Sequence, residues 1–147
     1  MQLSQSLEQA CCVLGIVARG DGQAVTSAEL NSHMDVSPSY LLKVTRKLVV
    51  AGLIESIQGV NGGYVLARPM KHITLRMVVD AIEGAEPFFR PAGIIERVFA
   101  EKGTAARRGV SLIAEALDDA ERLWRHKLEK TTMHHVIYGA LARSPKA

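Results

Sequence analysis

The residues of this chain best suited to chemistry are Ser39, Lys43, Arg46 and Lys47, spaced so that one helical face carries a hydroxyl and three cations. A hydroxyl at a helix start suits a phosphate oxygen, and a lysine can reach O6 and N7 of guanine. Between Ser37 and Arg76 the basic residues are Lys43, Arg46, Lys47, Arg68, Lys71 and Arg76, against one acid, Glu55. The net charge of the 147 residues is only +3, so the clustering, not the total, points to a phosphate-facing surface. Catalysis finds no such set: there is no nucleophile–base pair and no pair of carboxylates in one expected cleft. Gly59, Gly62 and Gly63 do not follow a strand and open a helix, so they are not a phosphate loop. Cys11 and Cys12 are consecutive, and their side chains diverge by about 100° on a helix, which denies them a shared metal. Cys11 reads as a small core residue, and Cys12, if exposed, as a thiol sensor. His126, His134 and His135 lack the cysteine or carboxylate that would complete a metal site. The sequence therefore predicts no enzyme, no metal and no cofactor.

The elements that must carry this basic face are legible in the neighbouring residues. A 48% hydrophobic, 22% charged composition is that of a folded domain, and 147 residues allow one domain with an appendage. A first helix runs from Ser4 or Ser6 to Ala18, with Leu7, Ala10, Cys11, Leu14 and Val17 or Ala18 inward. Thr26 and Glu29 fit a capping box for a short second helix ending at Asn31 or His33. Ser37 caps the third, Pro38 takes its first position, and Leu41, Val44 and Leu48 form its apolar stripe. Gly52 ends it, and Leu53–Ile57 has the residues of a strand. Asn61–Gly62 predicts a type I′ hairpin turn, with positive φ at both residues, and Gly63 a place where backbone can approach a phosphate.

Three helices and a hairpin in this order outline a winged helix-turn-helix, which offers one helix to a DNA groove and one loop to the adjoining backbone. Thr74 caps a further helix, with Leu75, Val78, Val79 and Ile82 inward, that stops at Gly84. Pro87, Pro91 and Gly93 then break regular structure around Phe88–Phe89, ahead of a short helix, Ile94–Lys102. Ala105–Lys130 is a long helix whose Ile113, Ala116, Leu117, Ala120, Leu123, Trp124 and Leu128 recur at alternating three and four. Asp118 to Arg122 and Glu121 to Arg125 are i,i+4 ion pairs expected on its outer face. This helix exceeds what a small winged domain needs, and a second copy of the chain is the natural cover for its seam.

The chain resembles the Rrf2 family of small bacterial transcription regulators. The matching pieces include Ala28–Glu29–Leu30, Val36–Ser37–Pro38–Ser39–Tyr40–Leu41, Ala51–Gly52–Leu53, Gly62–Gly63–Tyr64, Leu66–Ala67–Arg68 and Ala81–Ile82–Glu83–Gly84. They cover about the first 84 residues in order and spacing, while the C-terminal half matches only as a linker followed by a long helix. The resemblance implies a homodimer paired through that helix and bound to a near-palindromic operator. It also implies backbone contacts from Ser39 and Tyr40, base-facing places for Leu42 and Lys43, and a wing over Gln58–Tyr64. Tyr40 could equally be a half-buried core ring, and Leu42 a partly exposed leucine. Many relatives have arginine where this chain has Gln58, and cluster-binding members place three cysteines in the segment matching Pro87–Thr104. This chain has none there, which excludes a thiolate-held iron–sulfur cluster of that kind.

The fold expected is mainly α with a small β-hairpin wing: a winged helix-turn-helix at 1–84, a linker and sensor region at 85–104, a dimerisation helix at 105–130 and a tail at 131–147. The function expected is sequence-specific binding of double-stranded DNA by a homodimeric regulator, a repressor in the simplest case. The DNA-binding residues expected are Ser39, Tyr40, Leu42, Lys43, Arg46, Lys47, Gln58, Gly59, Asn61, Gly62, Gly63 and Tyr64. Those for dimerisation are Ile113, Leu117, Ala120, Leu123, Trp124 and Leu128. The alternative is a winged-helix protein-interaction module that does not bind DNA, toward which Gln58 leans. A small-molecule or protein effector is expected to act near Phe88, Phe89, Ile94, Ile95 and Phe99. No apolar run approaches the ~20 residues of a membrane span and Gln2–Ala10 is polar, so the place expected is the cytoplasm.

Overall fold

The computed structural model describes residues 2–142. Three helices come first: α1 (Gln5–Arg19), α2 (Ser27–Met34) and α3 (Pro38–Val50). The Thr26 hydroxyl accepts the Glu29 N–H while the Glu29 carboxylate takes the Thr26 N–H at 2.7 Å, which closes the expected capping box. On α3, Ser37 Oγ accepts the Tyr40 N–H, and the far end stops in a Schellman turn. Gly52, at φ +67°, donates to the Val49 carbonyl and Leu53 to that of Leu48, at 2.9 and 3.0 Å. Arg68 then closes the turn from outside, its Nε–H reaching the Gly52 carbonyl at 3.2 Å.

Strands β1 (Ile54–Ile57) and β2 (Gly63–Leu66) pair antiparallel, with Ile54 opposite Leu66 and Ile57 opposite Gly63. The loop between them is thus the five residues 58–62, not a two-residue turn. Positive φ falls on Gly59 and Gly63, not on Asn61 or Gly62, and the Gly62 N–H closes the bend on the Gly59 carbonyl at 3.0 Å. The expected type I′ turn is therefore replaced by a wider one. A third, single-residue strand joins the sheet: Val25 N–H bonds Tyr64 O at 2.9 Å and Tyr64 N–H bonds Val25 O at 2.8 Å. Gly63 exists for that contact. A Cβ at Gly63 would lie 2.4 Å from the Val25 carbonyl oxygen, so the glycine is required by the close approach of this chain's own backbone.

After a 3-10 turn at Met70–His72, α4 (Leu75–Glu83) buries Val78, Val79 and Ile82 beneath a Thr74 cap. The core of this part joins Ala10, Val13 and Leu14 of α1 to Leu30, Leu41, Leu48, Leu53 and Ile73, all nearly or wholly buried. Each of the valine, leucine and isoleucine side chains among them is worth about 1.5–3 kcal/mol by removal from water. The last element described, α7 (Met133–Ala142), gives this core Met133, fully buried. It is tied there by bonds from Met133 N–H to Ile73 O and from Leu75 N–H to Thr131 O, each 2.7 Å. The stretch expected only as a tail thus holds an ordered helix, and residues 143–147 of that tail lie outside the described residues.

By contacts the chain divides into two compact units, the first running through Ala85 and resuming at Leu128, the second spanning 86–127. The second contains α5 (Ile94–Val98) and most of α6 (Thr104–Glu129). On α6, Ile113, Leu117, Ala120 and Leu123 are exposed, Leu123 by 73%, while Trp124 and Leu128 are half-buried. Glu121 and Arg125 form the expected ion pair, but it is buried and not on the outer face, and Arg122 pairs with Asp119 and not with Asp118. Among the described residues no helix is long and apolar enough to cross a membrane.

Gly63→Ala should lose the Val25–Tyr64 pairing and cost at least about 1–3 kcal/mol, the usual scale of a backbone forced into a disfavoured conformation. Urea unfolding measures it; an unchanged midpoint would contradict the role assigned to that glycine.

Candidate nucleic-acid interface

Helix α3 is held by its apolar stripe, and the residues left outward form the candidate surface. Leu41, Val44, Thr45 and Leu48 are buried; the Thr45 hydroxyl is spent on the Leu41 and Leu42 carbonyls, each at 3.1 Å. Ser39, Lys43 and Arg46 are exposed, with Leu42 57% exposed between them. They border a groove of about 740 Å³ that continues to Asp80 and Ala81 of α4. Tyr40 is exposed at its ring, while its hydroxyl shares a 2.9 Å hydrogen bond with Ser6 Oγ on α1. That bond ties the start of α3 to α1, so Tyr40 is both surface and anchor.

The six cations do not act as one group. Lys47 is half-buried and its Nζ donates to the Ile82 carbonyl at 2.6 Å, placing its charge at the C-terminal end of α4 where the helix dipole favours it. Arg68 caps the end of α3, and Arg76 pairs with Asp80 at 3.4 Å and Glu129 at 3.1 Å. Among the described residues Lys43, Arg46 and Lys71 remain without an ion pair or hydrogen bond. Beside Lys47, the Glu83 carboxylate accepts from both Ser4 N–H and Ser4 Oγ–H at 2.7 Å. Those two bonds, the hydroxyl's first, hold its carboxyl below the usual carboxylate range. Lys47 and Glu83 thus serve the packing of α1, α3 and α4.

The wing is uncharged. Gln58, Gly59 and Asn61 are exposed in its loop, Val60 stands wholly in solvent, and Gln58 Nε2 donates to Ser56 Oγ at 3.3 Å. Gly62 is half-buried, fixed because a Cβ there would lie 2.4 Å from the Ile57 carbonyl oxygen. Tyr64 departs from its expected role: only 9% exposed, it points into the core beside Val25. Strand alternation alone could have signalled this, because Tyr64 and Leu66 share a parity along β2.

The cysteines form no centre. Burial, then Cys12 and then Glu8, push the Cys11 thiol up to about 11, while Cys12 is exposed. Among the described residues no group of three His, Cys, Asp or Glu could hold a metal ion.

The profile of the Rrf2 family, described as an iron-dependent transcriptional regulator, matches residues 3–139. YwgB of Bacillus subtilis strain 168 is 33% identical over 138 residues, spanning 93% of this chain and 85% of that protein. The HTH-type transcriptional regulator IscR of Cereibacter sphaeroides is 36% identical over 70 residues, or 48% of this chain and 45% of that one. Among solved structures, CymR, the global cysteine regulator of B. subtilis, aligns with a TM-score of 0.62 at 21% identity over 94% of this chain and 97% of its own. That last likeness is one of fold. Against the iron of the family's description, the segment 87–104 has no cysteine and the chain's two thiols stand side by side on α1, so a thiolate-held iron–sulfur cluster has no ligands there. With its capped basic helix, its hairpin wing and a match over nearly its whole length, this chain belongs to the Rrf2 family of transcriptional regulators.

Proposed function

We propose that the protein acts as a homodimer on a near-palindromic operator in cytoplasmic DNA and represses transcription there. The observation that supports this most is the exposed face of α3, where Lys43 and Arg46 stand free beside Leu42 and Ser39. Lys43 and Leu42 read base edges, the leucine against a thymine methyl, and Arg46 and Ser39 hold phosphates. Tyr40 supports the helix start and adds its exposed ring edge. Gln58, Gly59 and Asn61 bring the wing to the backbone without a cation, so the wing adds little to the salt dependence. Gly62 and Gly63 shape the wing, and neither they nor Tyr64 and Lys47 touch DNA.

The exposed row Ile113, Leu117, Ala120 and Leu123 on α6 is the dimer seam, with Trp124 and Leu128 at its margin. Two copies burying that row satisfy an apolar surface that one copy leaves in water. An effector, small molecule or protein, acts on the linker, whose Ile94, Val98 and Phe99 are about half exposed. The alternative of a protein-binding module that ignores DNA draws on the uncharged wing alone.

Operator binding by gel shift, with salt titration, tests the interface. Arg46→Ala should weaken binding evenly across sequences and lower the salt slope by about 1, and Lys43→Ala should relax preference at one base pair by about 1–3 kcal/mol. Unchanged affinity in both mutants would reject DNA reading by α3.

Lys47→Ala should behave differently. It removes the donor at the Ile82 carbonyl and should lower the thermal midpoint, with the salt slope of DNA binding kept. A lower slope with unchanged stability would return Lys47 to the phosphate surface.

Light scattering at micromolar concentration should find a dimer for the native chain. Leu117→Asp should give monomers, because a carboxylate buried unpaired in the seam costs several kcal/mol. A monomeric native protein would refute the seam.

A further inference from the structure

The chain passes between its two compact units twice, after Ala85 and again after Lys127. Just inside the second unit both passages are bound to each other. Glu121, only 8% exposed, accepts the Phe88 backbone N–H on Oε2 at 2.9 Å and the Arg125 Nε–H on Oε1 at 2.7 Å. Arg125 extends Nη2 to the Glu86 carbonyl oxygen at 3.4 Å. Its guanidinium also lies 5.9 Å from the Phe88 ring centre and 5.8 Å from that of Trp124, two rings that pack 5.0 Å apart. A shielded carboxylate taking two donors and a guanidinium over two rings make a stronger fastening than a surface ion pair. It holds two linker residues to the last third of α6.

We infer that Glu121 and Arg125 are positioning residues for operator binding, fixing where the linker leaves α6 and thereby the spacing of the two recognition helices, and that they do so without metal. This rests on the dimer and operator proposed above. The carboxylate is already occupied on both oxygens, so an iron ion could bind it only by displacing Arg125 or the Phe88 N–H. The linker has no thiolate with which to compensate such a loss. The family's description implies iron, and this fastening occupies Glu121, the buried acid to which the linker backbone is bound.

The experiment compares the full-length dimer with Glu121→Ala and Glu121→Gln. Binding is measured to a single half-site, to the two-half-site operator, and to operators with one base pair added or removed between half-sites. Each change rotates one half-site by about 35° on the other. Ferrous iron under anaerobic conditions and a chelator are tested in parallel. The wild-type protein should prefer one spacing by about tenfold or more, equivalent to about 1.4 kcal/mol. Glu121→Ala should lose that preference while keeping half-site affinity, and emission from Trp124, the chain's single tryptophan, should move to the red as Phe88 and Arg125 leave it. Glu121→Gln keeps an acceptor for the Phe88 N–H and should keep most of the preference. Iron and chelator should change neither readout. If Glu121→Ala does not fold, Arg125→Lys, which keeps the charge without the planar fork, decides by the same spacing measurement. A spacing preference intact in Glu121→Ala, or one abolished by the chelator, overturns the inference. A wild-type dimer that binds but ignores spacing overturns this inference alone; a wild-type chain that binds no DNA, or is monomeric, overturns the reading beneath it.

Discussion

Two backbone hydrogen bonds, between Val25 and Tyr64, govern how the candidate surface is assembled. They attach the base of the wing to the segment between α1 and α2. Without them the hairpin would be a two-stranded ribbon, and such ribbons are marginal alone. With them Tyr64 is drawn into the core and the base of the wing is tied to the domain at a second point, besides the Schellman turn at Gly52 from which β1 starts. Gly63 is the residue that lets the two backbones meet.

Electrostatics in the winged domain divides by geometry more than by composition. Six cations lie between Ser37 and Arg76, yet three of them are engaged by the fold: Lys47 by α4, Arg68 by the end of α3, and Arg76, at the surface, by Asp80 and Glu129. Such partners convert charge from long-range attraction into local cohesion. The surface left for DNA is small, and hydroxyls, leucine and shape must supply much of any selectivity. That agrees with a modest net charge and an uncharged wing.

Features set by neighbours along the chain were legible in the sequence. The Thr26–Glu29 box, the Ser37 cap with Pro38 behind it, Gly52 as a stop and the stripe of α3 each depend on residues within one or two turns. What was not legible depends on residues far away. Asn61–Gly62 carried a strong local turn signal, but the Val25–Tyr64 bridge and the crowding at Gly62 impose a wider loop. Lys47 had the spacing of its basic neighbours, and only the end of α4, 35 residues on, diverts it. Glu121 and Arg125 looked like an ordinary outward pair until Phe88 covered them. For Met133 there was no periodic cue, because its burial comes from pairing beside Ile73.

That pairing carries a consequence for synthesis. The first unit is discontinuous, closed by residues that leave the ribosome after the whole of α6. Until Thr131 and Met133 emerge, Ile73 and Leu75 lack their backbone partners and the core has a methionine-sized gap. A nascent or truncated chain can therefore display α3 over a core that Met133 has not yet filled. Completion of the reading head's core waits until the residues that follow α6 have been made, and a chain cut before Thr131 has helix and wing but an unfinished core.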